Sequence, residues 1–319
     1  MGSLPHVVPQ KPPRTLTRWR ANTLRERALR WLHRRPGAQA WSLLGPGLLW
    51  LAVFFLIPLL IMFAYSVMPR GEYGGVEPGL TLESYQRFFV PIYLTILIRT
   101  FVMSVACTLL CLVLGYPVAY LIARSGRWKN LLLFLVVLPF WTSFLVRTFA
   151  MIFLMRDTGL INTWLLKLGL VHEPLTMLYT PFAVLVGLVY GFLPFMILPI
   201  YASLEKLDLS LLEAAEVLGA KPAARFWQVT FPLSLPGVVA GCLLVFIPAL
   251  GSFLTSDLLG GAKELMIGNL VQNQFASARN WPFGSAASFI LMALVLVAVL
   301  IYLKVRDATP QAVANAKER

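Results

Sequence analysis

Six stretches of the chain are long and apolar enough to cross a lipid bilayer. They run from 41 to 68, 95 to 123, 131 to 155, 181 to 202, 237 to 257 and 283 to 303. The hydrocarbon core of a membrane is about 30 Å thick and needs about 20 apolar residues of α-helix. Of the 319 residues, 58% are apolar and only 13% are charged, a balance far from that of a soluble domain. The sequence therefore predicts an all-α integral membrane protein with about six transmembrane helices over residues 41–303.

Basic residues are distributed unevenly between the loops. The segments expected on one side, 1–40, 124–130, 203–236 and 304–319, hold nineteen Lys and Arg residues, whereas the opposite loops hold six. Cytoplasmic loops carry such an excess. We expect a multi-pass protein of the bacterial inner membrane with both termini in the cytoplasm, the last segment being a tail over 304–319. The membrane topology then accounts for the net charge of +13, which does not require a nucleic-acid partner.

The N-terminal 40 residues form a basic cytoplasmic segment without a cleavage signal. Residues 11–35 hold nine Lys or Arg interleaved with Trp and Leu. Such a segment can lie on anionic lipid. A solvated basic tail is the equal alternative.

Residue types that carry chemistry are sparse. The chain lacks a G-x-x-x-x-G-K-[ST] phosphate loop, an H-E-x-x-H motif and a G-x-S-x-G motif. Its cysteines, Cys107, Cys111 and Cys242, fall inside apolar runs, which favours packing over a metal site or disulfides. We therefore expect no catalytic residue, no metal and no cofactor bound by this chain, and an energy source that is either a gradient or another subunit.

Prolines interrupt the third, fourth and fifth runs at Pro139, Pro194, Pro199 and Pro248. Each removes a backbone hydrogen bond, which lipid tolerates only where neighbouring helices or a water-lined path satisfy the freed carbonyl. These three spans are expected to pack inside and line a path. A purely structural kink is the alternative at each position.

Arg147 and Asp257 are ionisable residues within the apolar runs, where charge is costly and commonly functional. Counted along their helices, both come near the outer leaflet. They either pair with each other, extend to the interface, or contact a substrate.

A short polar insert separates the fourth and fifth runs. Ser210 and Glu213 form an S-x-x-E pattern that predicts a capped helix start. Gly219 is the residue type that ends a helix, and Pro222 is suited to the first turn of another. The insert is therefore predicted to be a helix, a glycine turn and a second short helix.

The first helix of the insert has a small, smooth face that includes Ala214 and Ala215. Such a helix can dock in a partner's groove. A helix resting on the lipid interface is the alternative. A DNA-binding helix-turn-helix is excluded, because the flanking spans tether both ends at the bilayer and leave no reach into a DNA groove.

The insert resembles the EAA signature of the permease subunits of ABC importers. That signature reads E-A-A-x-x-x-G, nine residues, then I-x-L-P, and here Glu213, Ala214, Ala215 and Gly219 match its first part. The segment VTFP at 229–232 matches its second part, with Val and Phe where Ile and Leu are preferred.

Further stretches are similar to the spermidine/putrescine permeases of this family. They are LVLGYPVAYLIAR (112–124), LPFWTSFLVRTFAM (138–151), GLVYGFLPFMILPIY (187–201), the segment 241–275 and RNWPFG (279–284). The similarity covers about residues 45–303 and implies the type I ABC importer permease fold.

The resemblance also implies function and partners. A permease of this kind works with a second permease subunit, two cytoplasmic ATPase subunits that use ATP, and an outer polyamine-binding protein, and its EAA loop, here about 203–236, couples to the ATPase. A polycation would be met by carboxylate and aromatic groups, for which the candidates are Asp257, Trp141, Tyr190 and Phe253. Arg147 opposes a cation path unless a partner neutralises it.

Two other functions remain open. One is an importer permease for another small substrate, an amine, an amino acid or an anion. The other is a secondary transporter that works alone, for which Asp257 would be the proton or sodium site.

Overall fold

The computed structural model describes the backbone of residues 36–317 and the side chains of residues 44–261, 263–300 and 304. Most of the predicted basic segment, residues 1–35, lies outside the described residues. The chain divides into two units, Met1–Ile61 and Met62–Arg319, which are described separately.

The described part of the first unit is a single helical run. Helix α1 (Pro36–Leu51) passes through a π-helical turn, Ala52–Leu56, into α2 (Ile57–Ser66), whose last residues belong to the second unit. These elements supply the first apolar span, Leu44–Ser66.

The regular secondary structure in the described residues of the second unit is helical, apart from an isolated bridge between Arg70 and Val76. This confirms the all-α prediction. Its helices are α3 (Glu83–Phe88), α4 (Pro91–Arg124), α5 (Lys129–Val137), α6 (Phe144–Met155), α7 (Leu160–Lys167), α8 (Pro181–Glu205), α9 (Leu209–Val217), α10 (Pro222–Arg225), α11 (Phe231–Gly251), α12 (Ile267–Ala276) and α13 (Trp281–Lys317).

Among the described residues, five helices are long and apolar enough to span a membrane, and a bent pair of helices makes a sixth span if it is counted as one. The five are Leu44–Ser66, Pro91–Arg124, Pro181–Glu205, Pro222–Gly251 and Trp281–Leu300. The last of them continues as helix to Lys317, so the backbone of the predicted tail is helical where the structure describes it.

The prediction of a continuous third span over 131–155 is wrong. Gly126–Trp141 and Phe144–Lys167 meet at 90°. Pro139 lies in a 3₁₀ turn, Leu138–Trp141, and the next two residues, Thr142 and Ser143, are extended with ψ of 147° and 137°. Since proline offers no N–H and extended residues cannot continue a helix, the span breaks here.

The buried centre of the second unit is formed by α4, α8 and α11, which pack against one another. The third span contributes less to this centre than was predicted: Met155 of α6 is buried in it and other residues of α5 and α6 pack against it, while α4 takes the third central place. Cys107 and Cys111 are fully buried in it, which confirms that they pack as small apolar side chains.

Glycines let these three helices approach closely. A Cβ on Gly115 would lie 3.2 Å from Met196 Cγ, and one on Gly241 would lie 2.7 Å from Met196 Sδ. A Cβ on Gly237 would lie 2.5 Å from Ser203 Oγ. Small residues at such positions are the usual means of close helix packing in membranes.

The fifth span differs from its predicted bounds of 237–257. It begins at Pro222, because α10 continues through a π-helical turn, Phe226–Thr230, into α11. It ends at Gly251, because Ser252 is extended with ψ of 120°. A separate π-helical turn, Ser256–Gly260, follows and packs on α8.

Candidate functional site

The polar insert between α8 and α11 begins with an acidic cap. The Asp208 side chain accepts a hydrogen bond of 3.0 Å from the Ser210 backbone N–H. This bond lowers the pKa of the Asp208 carboxyl, because the N–H favours the charged form. The predicted cap at Ser210 with Glu213 is wrong. The helix starts at Leu209, two residues earlier than a cap at Ser210 would place it, so Ser210 lies inside the first turn and Asp208 takes the capping position.

The end of α9 follows the predicted glycine stop. Gly219 has a φ of 82°, a left-handed conformation that glycine adopts without the steric cost of a Cβ. Its N–H donates to the Glu216 carbonyl at 2.9 Å, and the Ala220 N–H donates to the Ala215 carbonyl at 3.0 Å. These two bonds make a Schellman motif. Pro222 opens α10, as predicted.

An ion pair joins the two arms of this insert. The Arg225 guanidinium on α10 contacts the Glu216 carboxylate on α9. Because α10 is continuous with α11, this pair and the turn at Gly219 connect α9 to the fifth span over a short length of chain.

Helix α9 has one face toward the protein and one face open. Leu212 is buried, and it lines a cavity of about 400 Å³ together with Glu213 and residues of α4. On the open side, Leu211, Val217 and Leu218 expose 47%, 87% and 87% of their surface, and Ala214 is exposed as well. Ala215 is half-buried. We call Leu211, Ala214, Val217 and Leu218 the open face of α9.

An aromatic cluster supports the insert from the side of the membrane spans. The Tyr116 ring meets the Phe226 and Phe231 rings at centroid distances of 5.5 Å and 5.8 Å. Its hydroxyl shares a hydrogen bond of 2.8 Å with the Ser234 hydroxyl. These contacts fix the start of the fifth span to α4, so the insert stands on a packed base.

Arg147 and Asp257 do not form an ion pair. The Arg147 Cζ lies over three aromatic rings, those of Phe140, Phe144 and Tyr190. Asp257 is exposed in the turn Ser256–Gly260 and is not part of a membrane-spanning helix. The expectation that it lies some twenty residues along a helix is wrong, because α11 ends at Gly251.

The remaining candidate residues are dispersed. Tyr190 is 42% exposed and contacts Arg147, and Phe253 is 41% exposed in the segment after α11. Trp141 is 76% exposed, and its ring meets the Phe134 ring in a T-shaped arrangement with centroids 6.0 Å apart. The structure thus brings Tyr190 and Arg147 together and leaves Trp141 on the surface.

Sequence reasoning missed Arg99, a charged residue inside the second apolar run. Its guanidinium donates to the Lys263 carbonyl at 2.7 Å and pairs with the Glu264 carboxylate at 3.2 Å. It therefore holds the segment after Asp257 against α4. The charge of Arg99 was a visible signal in the sequence, whereas its partners are more than 160 residues away.

Asn269 was missed as well. Its side chain is buried, donates to the Phe253 carbonyl at 2.9 Å and accepts from the Met266 N–H at 3.1 Å and from the Ser256 hydroxyl. One side chain thus fixes both ends of the segment that carries Asp257.

This arrangement of apolar spans with a capped, open-faced helix between two of them defines a transport permease of the inner membrane. The chain belongs to the family of binding-protein-dependent transport system inner membrane components, whose model matches residues 111–306.

Curated relatives agree with this family. The spermidine/putrescine transport system permease protein PotB of Haemophilus influenzae is 45% identical over 254 residues, which are 79% of this chain and 89% of that protein. PotB of Escherichia coli K12 is 43% identical over 254 residues, 79% of this chain and 92% of that protein. The inner membrane ABC transporter permease protein YdcU of Escherichia coli K12 is 34% identical over 275 residues, 81% of this chain and 86% of that protein.

Solved structures show the same fold. A bacterial ABC transporter involved in the import of the acidic polysaccharide alginate superposes with a TM-score of 0.62 at 18% identity, covering 86% of this chain and 96% of that chain. A second structure of a bacterial alginate ABC transporter, in complex with a pentasaccharide-bound periplasmic protein, gives 0.66 at 17% identity, with 86% and 95% covered. The type I ABC importer permease fold is confirmed.

Proposed function

We propose that this chain is one permease subunit of an ATP-driven importer for polyamines of the spermidine/putrescine class. The support for the substrate is the 43–45% identity, over 79% of the chain, with proteins named for spermidine/putrescine transport. In this proposal an outer polyamine-binding protein delivers the substrate, a second permease subunit completes the path, and two cytoplasmic ATPase subunits use ATP.

The observation that carries the coupling role is the open face of α9. Three large apolar side chains, two on this nine-residue helix and one at its C-terminal cap, stand exposed between a capped start and a glycine stop. An apolar helix face of this kind fits a groove in another protein. We assign that groove to the ATPase subunit, with Glu213, Ala214, Ala215 and Gly219 as the coupling residues. ATP binding and hydrolysis are assigned to the partner and not to this chain.

The second part of the proposal concerns how motion passes from the ATPase to the path. The Glu216–Arg225 pair ties α9 to α10, and α10 continues into the fifth span, Pro222–Gly251. A displacement of α9 would therefore move this span as a rigid body. The segment with Phe253 and Asp257 follows directly at its other end.

The path would offer a polycation one carboxylate and several rings. Asp257 is exposed and carries the charge, and Tyr190 and Phe253 have exposed ring surface. A cation gains about 0.5–2 kcal/mol from each aromatic face it contacts. Trp141, which is exposed at the break in the third span, stays a candidate only if the second permease subunit covers it.

The test is purification in mild detergent followed by reconstitution. We expect an ATPase subunit to co-purify and the complex to take up labelled spermidine only with ATP. Glu213→Arg should lower uptake more than about tenfold while membrane insertion stays intact, because it places a cation where the motif has an anion. Glu173→Arg is the matched control, since Glu173 is also an exposed glutamate and lies outside the insert.

Three outcomes would contradict the proposal. Transport by this chain alone in ATP-free vesicles would favour the secondary transporter. Uptake of an amino acid or an anion in place of spermidine would change the substrate class. Equal uptake by the Glu213→Arg and Glu173→Arg complexes would show that the insert rests on lipid and does not couple.

A further inference from the structure

The Arg147 guanidinium lies among three aromatic rings. Its Cζ is 5.2 Å from the Phe140 ring centroid, 5.7 Å from that of Phe144 and 5.9 Å from that of Tyr190. A cation within about 6 Å of a ring centroid, over the ring face, is attracted by the π electrons. We call Phe140, Phe144 and Tyr190 the aromatic cage. In this structure the cage already holds a cation, which is the chain's own side chain.

Two of the three guanidinium nitrogens have no hydrogen-bond partner in the described part of the chain. Arg147 Nε and Nη1 are buried, and neither donates a hydrogen bond to a described residue. The ion pairs found between described residues join other side chains. A buried charged donor without an acceptor loses the free energy of its hydration. Arg147 would recover those hydrogen bonds on leaving the cage, so a competing cation meets a weakly held occupant.

The aromatic cage spans the break in the third membrane span. Phe140 lies in the 3₁₀ turn before the break, whereas Phe144 and Arg147 lie in α6 after it. Tyr190 comes from α8 in the buried centre. The contacts of Arg147 therefore hold the 90° bend in place and attach it to α8.

We propose that Arg147 is a tethered cation that an alkylammonium group of the incoming substrate displaces from the aromatic cage. Displacement frees the break at Thr142 and Ser143 to change its angle, so substrate binding and helix movement become one event. The cage retains a cation in both states, whereas a neutral or anionic solute has nothing to exchange with Arg147. A ligand shifts a conformational equilibrium only through such a difference in affinity between two states. This inference rests on the proposed function, since it needs a polycationic substrate.

The experiment uses the complete importer in lipid vesicles, with spermidine as the probe, and measures ATP-driven uptake and ATP hydrolysis. Arg147→Met removes the competing cation and keeps an apolar side chain of similar reach. We expect the half-saturating spermidine concentration to fall about tenfold, because the substrate no longer has to displace an occupant. ATP hydrolysis without substrate should rise several-fold, because the bend is no longer held. Arg147→Lys keeps a cation and should lie closer to the wild type by both measures.

A second variant links the effect to the rings. In a Tyr190→Leu background the substitution Arg147→Met should no longer lower the half-saturating concentration, because the cage is incomplete. If Arg147→Met does not assemble with its partners, Tyr190→Leu alone still tests the idea. It should raise ATP hydrolysis without substrate and reduce the stimulation by spermidine.

The results separate the two proposals. If the wild-type complex takes up no spermidine, the proposed function fails and the displacement of Arg147 fails with it. If the wild type takes up spermidine and Arg147→Met leaves the half-saturating concentration unchanged or raises it, only the tethered cation is overturned. The tethered cation is also overturned if Tyr190→Leu changes neither ATP hydrolysis without substrate nor the stimulation of hydrolysis by spermidine.

Discussion

The turn at Gly219 gives the sharpest test of the proposed coupling role of α9. Its φ of 82° lies in the left-handed region, and its N–H bonds to the Glu216 carbonyl at 2.9 Å. Gly219→Ala keeps the N–H, and its cost is the strain of a Cβ in the left-handed backbone conformation, about 1–2 kcal/mol. That difference lowers the population of the native turn about 5- to 30-fold. Gly219→Pro removes the N–H that donates to the Glu216 carbonyl, a hydrogen bond that contributes about 1 kcal/mol. It also fixes φ at about −65°, which excludes the native turn.

The matched control is Gly169, which follows α7. Gly169 has a φ of 68°, its N–H donates to the Leu166 carbonyl at 3.1 Å, and an added Cβ meets no atom within 4 Å at either glycine. Both substitutions therefore test the backbone and not side-chain clashes.

The assay is ATP-dependent uptake of labelled spermidine by vesicles that contain the complete importer, with the amount of inserted chain measured in the same sample. We expect Gly219→Pro to abolish uptake and release the ATPase subunit on purification, Gly219→Ala to reduce uptake in part, and Gly169→Pro to retain most of it. Equal uptake by the two proline variants would refute the argument that the geometry of this turn is needed for coupling.

Two other predictions concern acidic residues. Asp257→Asn should raise the half-saturating spermidine concentration about tenfold without changing ATP hydrolysis in the absence of substrate, because it removes one charge from the path; unchanged uptake kinetics would remove Asp257 from the site. The lowered pKa of Asp208 means that its cap stabilises α9 at neutral pH, and that this contribution is lost as the pH falls below about 4 and through the lowered pKa. The protection of the Ser210 amide against hydrogen exchange, measured relative to an unstructured peptide at the same pH, should therefore fall in acid in the wild type and depend less on pH in Asp208→Asn. Parallel pH profiles of this protection would contradict the assignment of the cap.

Local features of the sequence predicted local structure well. Five of the six apolar runs form helices that can span a membrane, and the glycine stop and the proline start of the insert are where the pattern placed them. The glycine stop and the proline start depend on the backbone preferences of single residues. The cap was harder, because Asp208 and Ser210 are both good capping residues two positions apart, and the choice depends on where the chain leaves α8.

Proline shows why the third span could not be predicted. Pro194 and Pro199 lie inside α8, which continues through both, whereas the span containing Pro139 breaks. The residue type is the same and the surroundings differ. Helix α8 is enclosed by α4 and α11, which keep it helical, while the third span packs less extensively on them. Such a difference lies in tertiary packing, which the local pattern does not contain.

Long-range polar contacts could not be predicted from the sequence either. Arg99 was visible as a charge in an apolar run, but its contacts with Lys263 and Glu264 depend on how the segment after α11 folds back. The aromatic cage around Arg147 joins three pieces of backbone in the same way. Sequence reasoning placed Tyr190 among the candidates without any means of pairing it with Arg147.

The π-helical turn Phe226–Thr230 separates two surfaces that contact different helices. A π turn holds one residue more than an α-helical turn, so the helix after it is rotated by about 100° relative to an unbroken α-helix. The side before the turn carries Arg225, which faces α9, and the side after it carries Gly237 and Gly241, which face α8. The extra residue lets each side keep its own register. Substitutions on the side that faces α9 therefore leave the register of the glycines in the buried centre unchanged.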